Sequence, residues 1–320
     1  MTTTTETKMD SAKFEEFVGR FVGDLGVLFH AATVLLGDTL GLYEAMADGR
    51  PMSAEELADV SGIDNRYALE WLNAQVAAGY VEHDPTTDRY QLPAEHAAVL
   101  VSGASPIFAP GAFLLAASAI RDEPAIAEVF RTGEGFGWHQ HNHDLFIGTE
   151  RFFRPGYAAN LVDAWLPALD GVVEKLKMGA LVADVGCGLG SSTVLMAQAF
   201  PKSRFVGSDY HAESIDLARM AADAAGVTDR VDFEVAQADT FSGRDYDLIT
   251  FFDCLHDMGD PVGAARHVAD VLAEDGTWMI VEPMAGETVD ANVNPVGKVY
   301  YSASTLICTP ASKSQPVGLA

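Results

Sequence analysis

From Leu181 onward, short and mostly apolar runs alternate with helix-length segments, and that alternation leaves few folds open. The runs are Leu181 to Val185, Arg204 to Ser208, Val231 to Val235, Leu248 to Phe252 and Thr277 to Glu282; helices are expected near Ser191 to Phe200, Ala212 to Ala225 and Val262 to Ala273. Strands apolar on both faces need cover from both sides, and strands joined through helices run parallel. The spacing therefore predicts an α/β fold with a Rossmann-like, doubly wound parallel sheet. In such sheets ligands bind beyond the carboxyl ends of the strands.

The first run ends in Asp184, Gly186, Gly188, Gly190 and Ser191. Glycines let a backbone turn tightly and approach a ligand, and the helix start behind them favours an anionic group. A dinucleotide-binding turn reads Gly-x-Gly-x-x-Gly, whereas here Ser191 stands where the last glycine is needed. A NAD-binding oxidoreductase is thus the weaker alternative. The Asp-x-Gly-x-Gly-x-Gly pattern resembles the first motif of class I S-adenosylmethionine (SAM)-dependent methyltransferases. That resemblance implies SAM as cofactor and Asp184, Gly186, Gly188 and Gly190 as its loop. It implies that Asp209, ending the second strand nineteen residues after Gly190, takes both ribose hydroxyls. A carboxylate suits two hydroxyls because it accepts several hydrogen bonds at once. It also implies that Asp239, beside Thr240, meets the adenine amino group, with Tyr210 and Phe241 able to sandwich the ring. Asp253, at the end of the fourth strand, joins this set.

The fourth strand runs into Asp253, His256, Asp257 and Asp260. This stretch is similar to that of small-molecule O-methyltransferases with an N-terminal winged-helix dimerisation domain, where the histidine takes the proton of the acceptor hydroxyl. His256 is accordingly either a general base, suited by a pKa near neutrality, or a structural histidine after the strand. Asp257 either orients it or caps the next helix. Oxygen is favoured over nitrogen or carbon as the methyl acceptor, and the acceptor itself is unnamed. Between the halves, His139, His141 and His143 alternate as metal ligands sometimes do, but no cysteine or further histidine pairs with them, so no metal is expected. His139, His143, Arg154 and Tyr157 are candidates to line a small-molecule pocket; Arg154 could equally sit on a solvated helix face.

The N-terminal half reads differently. Phe14, Phe17, Val18, Phe21, Val22 and Leu25 recur at helical spacing, and a second helix is expected over Leu35 to Met46. Ser53 and Glu56 form a capping-box pattern, Asn65 to Ala78 suits a third helix stopped at Gly79, and Tyr80 to Leu92 reads as a hairpin. Helix, turn, helix, hairpin is the order of a winged helix. From Pro51 to Tyr80 the acids are Glu55, Glu56, Asp59, Asp64 and Glu70, against Arg66 alone. A phosphate-binding surface needs the reverse, so a transcriptional regulator is the weaker reading and a homodimerisation module the stronger. A helix beginning near Gly111, a loop over Gly133 to Gly148 and a helix over Pro155 to Leu176 follow. The expected organisation is a winged-helix domain over 1–105, a helical linker and substrate lid over 106–177, and the SAM-binding domain over 178–320.

The formal net charge is −26, from 46 acids against 20 lysines and arginines. So acidic a chain is a poor partner for nucleic acid or an anionic membrane. Cys187, Cys254 and Cys308 are scattered in apolar stretches without a disulfide or metal spacing, which suits a reducing cytoplasm. The polar stretch Met1 to Asp10 has no signal-peptide pattern, and the apolar stretch Leu25 to Tyr43, broken by His30 and Asp38, reads as too short and too interrupted to span a bilayer. After the fifth strand only a helix over Pro295 to Ile307 is expected. The pair of strands that closes the family's sheet is not found, which points to a shortened C-terminus and an open edge at Thr277 to Glu282.

Overall fold

The structure is a computed structural model that describes residues 9–103 and 105–319; most of the polar stretch at Met1 to Asp10 lies outside them. The chain forms two compact units, Met1–Val101 and Ser102–Ala320.

The first unit opens with α1, Ser11–Thr39, whose N-cap Asp10 accepts from the amides of Ala12 and Lys13. One uninterrupted helix replaces the two expected, because nothing between Leu25 and Leu35 breaks it: Gly37 is a packing glycine, where a Cβ would stand 2.6 Å from the Tyr43 ring. The turn comes at Gly41, at φ +67°, before α2, Leu42–Ala45. Taken over its full length α1 is long and apolar enough to cross a membrane by length and composition, a property hidden when the apolar stretch is cut at its polar residues. The helices α3, Ala54–Ser61, and α4, Asn65–Ala77, follow, and Ser53 and Glu56 close the capping box in both directions. The strands β1, Glu82–Asp84, and β2, Arg89–Gln91, pair antiparallel as the wing. A short helix, α5, Ala94–Leu100, ends the unit.

In the second unit α6, Ala109–Arg121, and α7, Glu123–Thr132, precede an eleven-residue connection to α8, Asp144–Asn160. The loop expected to reach Gly148 stops at His143, and Pro155 lies inside α8 rather than at its start. Gly148 is not a turn residue. It lets α8 lie against α6, where a Cβ would come within 2.5 Å of the Leu115 amide nitrogen; Gly111 does the same from the other side, 2.7 Å from Arg151. The expected long helix instead breaks into a π-helical turn, Leu161–Trp165, a 3₁₀ turn, Leu166–Ala168, and, after Gly171 at φ +74°, α9, Val172–Met178.

The sheet then builds in the order β5-β4-β3-β6-β7, all parallel. Its members are β3, Leu181–Val185; β4, Arg204–Asp209; β5, Val231–Val235; β6, Tyr246–Phe252; and β7, Leu272–Val281. Three helices link them: α10, Ser191–Ala199; α11, Ala212–Ala224; and α12, Pro261–Val271. Alternate residues of a strand face opposite sides, and the core obeys this. Val182 packs with Met196, Phe205, Ile215 and Leu248 on one face, Ala183 and Val185 with Ile249, Phe251, Ala264 and Val268 on the other. The strand β7 begins earlier than expected, and its register with β6 is irregular between Tyr246 and Leu248. Among the described residues β7 pairs on one side only, yet Met279, within the edge expected to be open, is buried in the core. Beyond β7 come α13, Pro295–Ala303, a π-helical turn, Ser304–Cys308, and α14, Thr309–Lys313.

The two glycines of α8 separate packing from propensity. Gly148→Ala should lower stability by about 1–3 kcal/mol through overpacking, because its new methyl would meet backbone. Gly156→Ala, with its nearest neighbour 3.7 Å away, should leave stability unchanged or raise it by up to about 1 kcal/mol. Urea unfolding of both variants checks the contrast.

Candidate active site

The chain reverses direction across the sheet between β3 and β6, and the crevice beyond their carboxyl ends is where such folds bind ligands. Gly186, Gly188 and Gly190 all adopt left-handed φ, at +71°, +52° and +81°. Two are also fixed by packing: a Cβ at Gly186 would stand 2.7 Å from Cys254 Sγ, and one at Gly190 2.8 Å from the Phe233 ring. At Gly188 a Cβ would meet nothing within 4 Å, so this glycine faces open space and is needed for its conformation alone.

Asp184 does not face that space. It is 1% exposed and accepts from Ser192 Oγ at 2.6 Å, Thr193 Oγ1 at 2.5 Å and Thr250 Oγ1 at 2.9 Å. Burial pushes its pKa up, and these three hydroxyls oppose the shift. The expectation of a cofactor contact is therefore corrected: Asp184 stands behind the glycine loop and positions it. Asp209 does face the loop. One oxygen accepts from the Gly188 amide at 3.0 Å, the other from the His211 amide at 2.9 Å, and a carboxylate oxygen retains capacity beyond one such bond. Burial raises its pKa as well, against these two amides.

Phe241 is likewise corrected as an adenine-stacking candidate. It is 1% exposed, packed in the core with its ring 4.5 Å edge-on from His267. Asp239 and Thr240 lie exposed in the turn after β5. Tyr210 is partly buried, and its hydroxyl accepts from the Trp138 amide at 3.0 Å. Asp253 closes β6 at φ +51°, a strained conformation for a side chain other than glycine. It accepts from the Tyr157 hydroxyl at 2.9 Å. Burial, then the Glu282 charge, push its pKa up to about 6 against the pull of Tyr157 and His256.

The imidazole of His256 is paired through Nδ1 with Glu282 Oε2, at the end of β7. Glu282 also accepts the amides of Cys254, at 3.2 Å, and Leu255, at 2.7 Å, through its other oxygen. Burial opposes charge on the ring, but hydrogen bonds to Cys308 and Glu282 and the Asp257 charge outweigh it and push the His256 pKa up to about 11. Asp257 is not the orienter. Its carboxylate accepts from Trp138 Nε1 at 2.8 Å, and burial pushes its pKa up to about 6. His256, Glu282 and Cys308 open onto one cavity of about 440 Å³, otherwise lined mainly by Leu255, Met258, Pro283 and Tyr300.

None of the four pocket candidates lines that cavity. His139, His143 and Arg154 are exposed; His143 lies 3.7 Å from Glu213. Tyr157 is turned inward on Asp253. Sequence reasoning passed over Glu282 and Cys308. Glu282 had a signal, a single acid ending an apolar strand at the ligand-facing edge; Cys308 had none. Among the described residues no three or more histidine, cysteine, aspartate or glutamate side chains are arranged so that they could hold a metal ion.

The His256–Glu282 pair has a measurable consequence. The ring should stay protonated to pH 8 and beyond in imidazole NMR titration, and Glu282→Gln, by removing the carboxylate, should bring its pKa down toward the ordinary value. An ordinary titration of His256 in the wild-type chain would refute the pairing.

Comparison with known proteins adds to this geometry. Residues 30–102 match the Rv2258c-like winged HTH domain, and residues 183–278 match a methyltransferase domain. The ubiquinone biosynthesis O-methyltransferase of Bordetella avium is 31% identical over 134 residues, 41% of this chain and 52% of that protein. The chain spans about half or less of the curated relatives it matches. Among solved structures, the mitomycin 7-O-methyltransferase MmcR superposes with a TM-score of 0.65 at 20% identity, covering 94% of this chain and 87% of that one. Human N-acetylserotonin methyltransferase, solved with SAM, gives 0.62 at 16% identity, covering 95% and 88%. The chain thus joins a winged helix-turn-helix domain to a methyltransferase domain of the class I, SAM-dependent type.

Proposed function

We propose that this protein transfers the methyl group of SAM to a hydroxyl of a small acceptor held in the cavity beside His256. The observation that carries the reading is the His256–Glu282 pair, lining an apolar cavity at the carboxyl ends of β6 and β7. The loop from Gly186 to Gly190 and Asp209 fit the cofactor: Gly188 fronts open space and Asp209 keeps free acceptor capacity on both oxygens. When bound, SAM supplies an electrophilic methyl group. Asp209 would accept the ribose hydroxyls, and Asp184 would hold the loop to its shape.

On the acceptor side, Glu282 fixes the imidazole through Nδ1 and leaves Nε2 for the cavity. In the ligand-free chain the ring carries a proton, held partly by its contact with Cys308. An acceptor hydroxyl that displaces the thiol removes one of the contacts keeping that proton; the ring gives it up to solvent, and the neutral ring nitrogen then takes the hydroxyl proton as the oxygen bonds to the methyl carbon. Apolar walls exclude water and orient the acceptor, and such positioning supplies much of the rate.

Calorimetry and turnover test the reading together. Asp209→Ala should weaken SAM or S-adenosylhomocysteine binding at least about tenfold, or about 1.4 kcal/mol. His256→Ala should leave that affinity near wild type and lower methyl transfer about 10²-fold. Unchanged SAM affinity in Asp209→Ala, or tighter binding of NAD, would overturn it.

We further propose a homodimer built on α1. Phe14, Phe17, Val18, Phe21, Val22 and Leu25 are all exposed, a contiguous apolar stripe larger than monomers ordinarily leave in water. Sedimentation should give a dimer, and Phe17→Glu with Phe21→Glu should shift it to monomer. A wild-type monomer at high micromolar concentration would remove the proposal.

A further inference from the structure

The chain's three thiols differ in kind. Cys187 is buried and Cys254 partly so; Cys254 Sγ points at the Val185 carbonyl, 3.3 Å away. Burial drives both of their pKa values well up, and thiols so placed are poor nucleophiles. Cys308 is set otherwise. It ends the π-helical turn Ser304–Cys308, a local distortion that often marks functional positions. That turn carries both Ser304 and Cys308 onto the wall of the cavity that His256 and Glu282 line, and the thiol stands close enough to the imidazole to help raise its pKa. Thiol, imidazole and carboxylate therefore stand in series, a nucleophile beside a base that a third group orients, which is the arrangement of an activated nucleophile. Methyl transfer to a hydroxyl has no use for the sulfur.

We propose that Cys308 is a covalent modification site, reactive toward small, uncharged and planar Michael acceptors that fit the apolar cavity. The sulfur lone pair forms a bond to the β-carbon of the electrophile, and the electron pair of its carbon–carbon double bond moves to the α-carbon. The proton of the thiol, relayed through the imidazole of His256, ends on that carbon. The sum is addition of a thiol across a double bond, with no leaving group and no oxidant. The adduct fills the cavity, so it blocks the acceptor. That last consequence rests on the methyl-transfer reading, whereas the reactivity of the thiol does not.

The test uses the full chain and limiting N-ethylmaleimide near neutral pH, without SAM or acceptor, with peptide mass mapping over time. Cys308 should be labelled at least about tenfold faster than Cys187 and Cys254. Accessibility alone could produce that order, so the deciding comparison is His256→Gln, which should slow Cys308 at least about tenfold, as loss of acid–base assistance does, while Cys187 and Cys254 keep their rates. Glu282→Gln retains the ring without its orienting partner and should also slow Cys308, by less. If the other two cysteines accelerate in His256→Gln, that chain has loosened, and Glu282→Gln decides. Labelling of Cys187 or Cys254 first, or a Cys308 rate indifferent to both substitutions, would overturn the proposal. Loss of methyl transfer on labelling is read separately, so a failed methyltransferase assay leaves the thiol result intact.

Discussion

The candidate site depends on one buried carboxylate. Asp184 takes hydroxyl donors from α10, at Ser192 and Thr193, and from β6, at Thr250. It thereby ties the end of β3 to the start of one helix and to the next strand of the sheet. A buried polar group is tolerated only when it is hydrogen-bonded, so the three hydroxyl donors are what let Asp184 stand in the core. The glycine turn begins two residues later, and its reach toward Asp209 through the Gly188 amide follows from where Asp184 anchors the strand end.

Around that anchor the site gathers more acid than base. Asp209, Asp253, Asp257 and Glu282 crowd the strand ends, and burial pushes Asp253 and Asp257 up to about 6. For both the folded pKa lies above the ordinary carboxylate value, so the native state binds protons more tightly than the unfolded chain. Their contribution to stability is therefore present in acid and is lost as pH rises through about 6. His256 has the opposite dependence on charge. With its pKa raised, its favourable pairing persists through neutrality and disappears only as pH rises through about 11. An acid-lined crevice of this kind gains from a ligand that brings positive charge into it.

The cavity owes its existence to the segment beyond β7. Ser312 Oγ donates to the Met258 carbonyl at 2.9 Å, Gln315 Nε2 to the Asp257 carbonyl at 3.0 Å, and the Leu319 amide to the Gly259 carbonyl at 3.0 Å. The Phe136 amide reaches the Pro310 carbonyl at 2.8 Å, while Trp138 joins Tyr210 and Asp257. The connection before α8 and the C-terminal helices are thus stitched to the same strand ends from two sides. His256, Glu282 and Cys308 take no part in these bonds and line the cavity.

What the amino-acid order determined by itself is whatever rests on local chemistry. Apolar runs and helical periodicity set the parallel sheet, the capping pair Ser53 and Glu56 set the start of α3, and three glycines after Asp184 set the tight turn beyond β3, since only glycine takes left-handed φ freely. Tertiary structure decided the rest. Gly148 read as a loop residue but serves close helix packing, and Pro155 read as a helix start but is carried inside α8. Asp184 and Phe241, plausible ligands by position, are turned into the core by partners 8 to 66 residues away in the first case and by packing with Tyr246 and His267 in the second. The partner of His256 is not its neighbour Asp257 but Glu282, 26 residues on, because adjacent parallel strands align their ends in space while sequence separates them by a helix. Cys308 joins them only when the chain folds back across the sheet, a long-range event that no local spacing encodes.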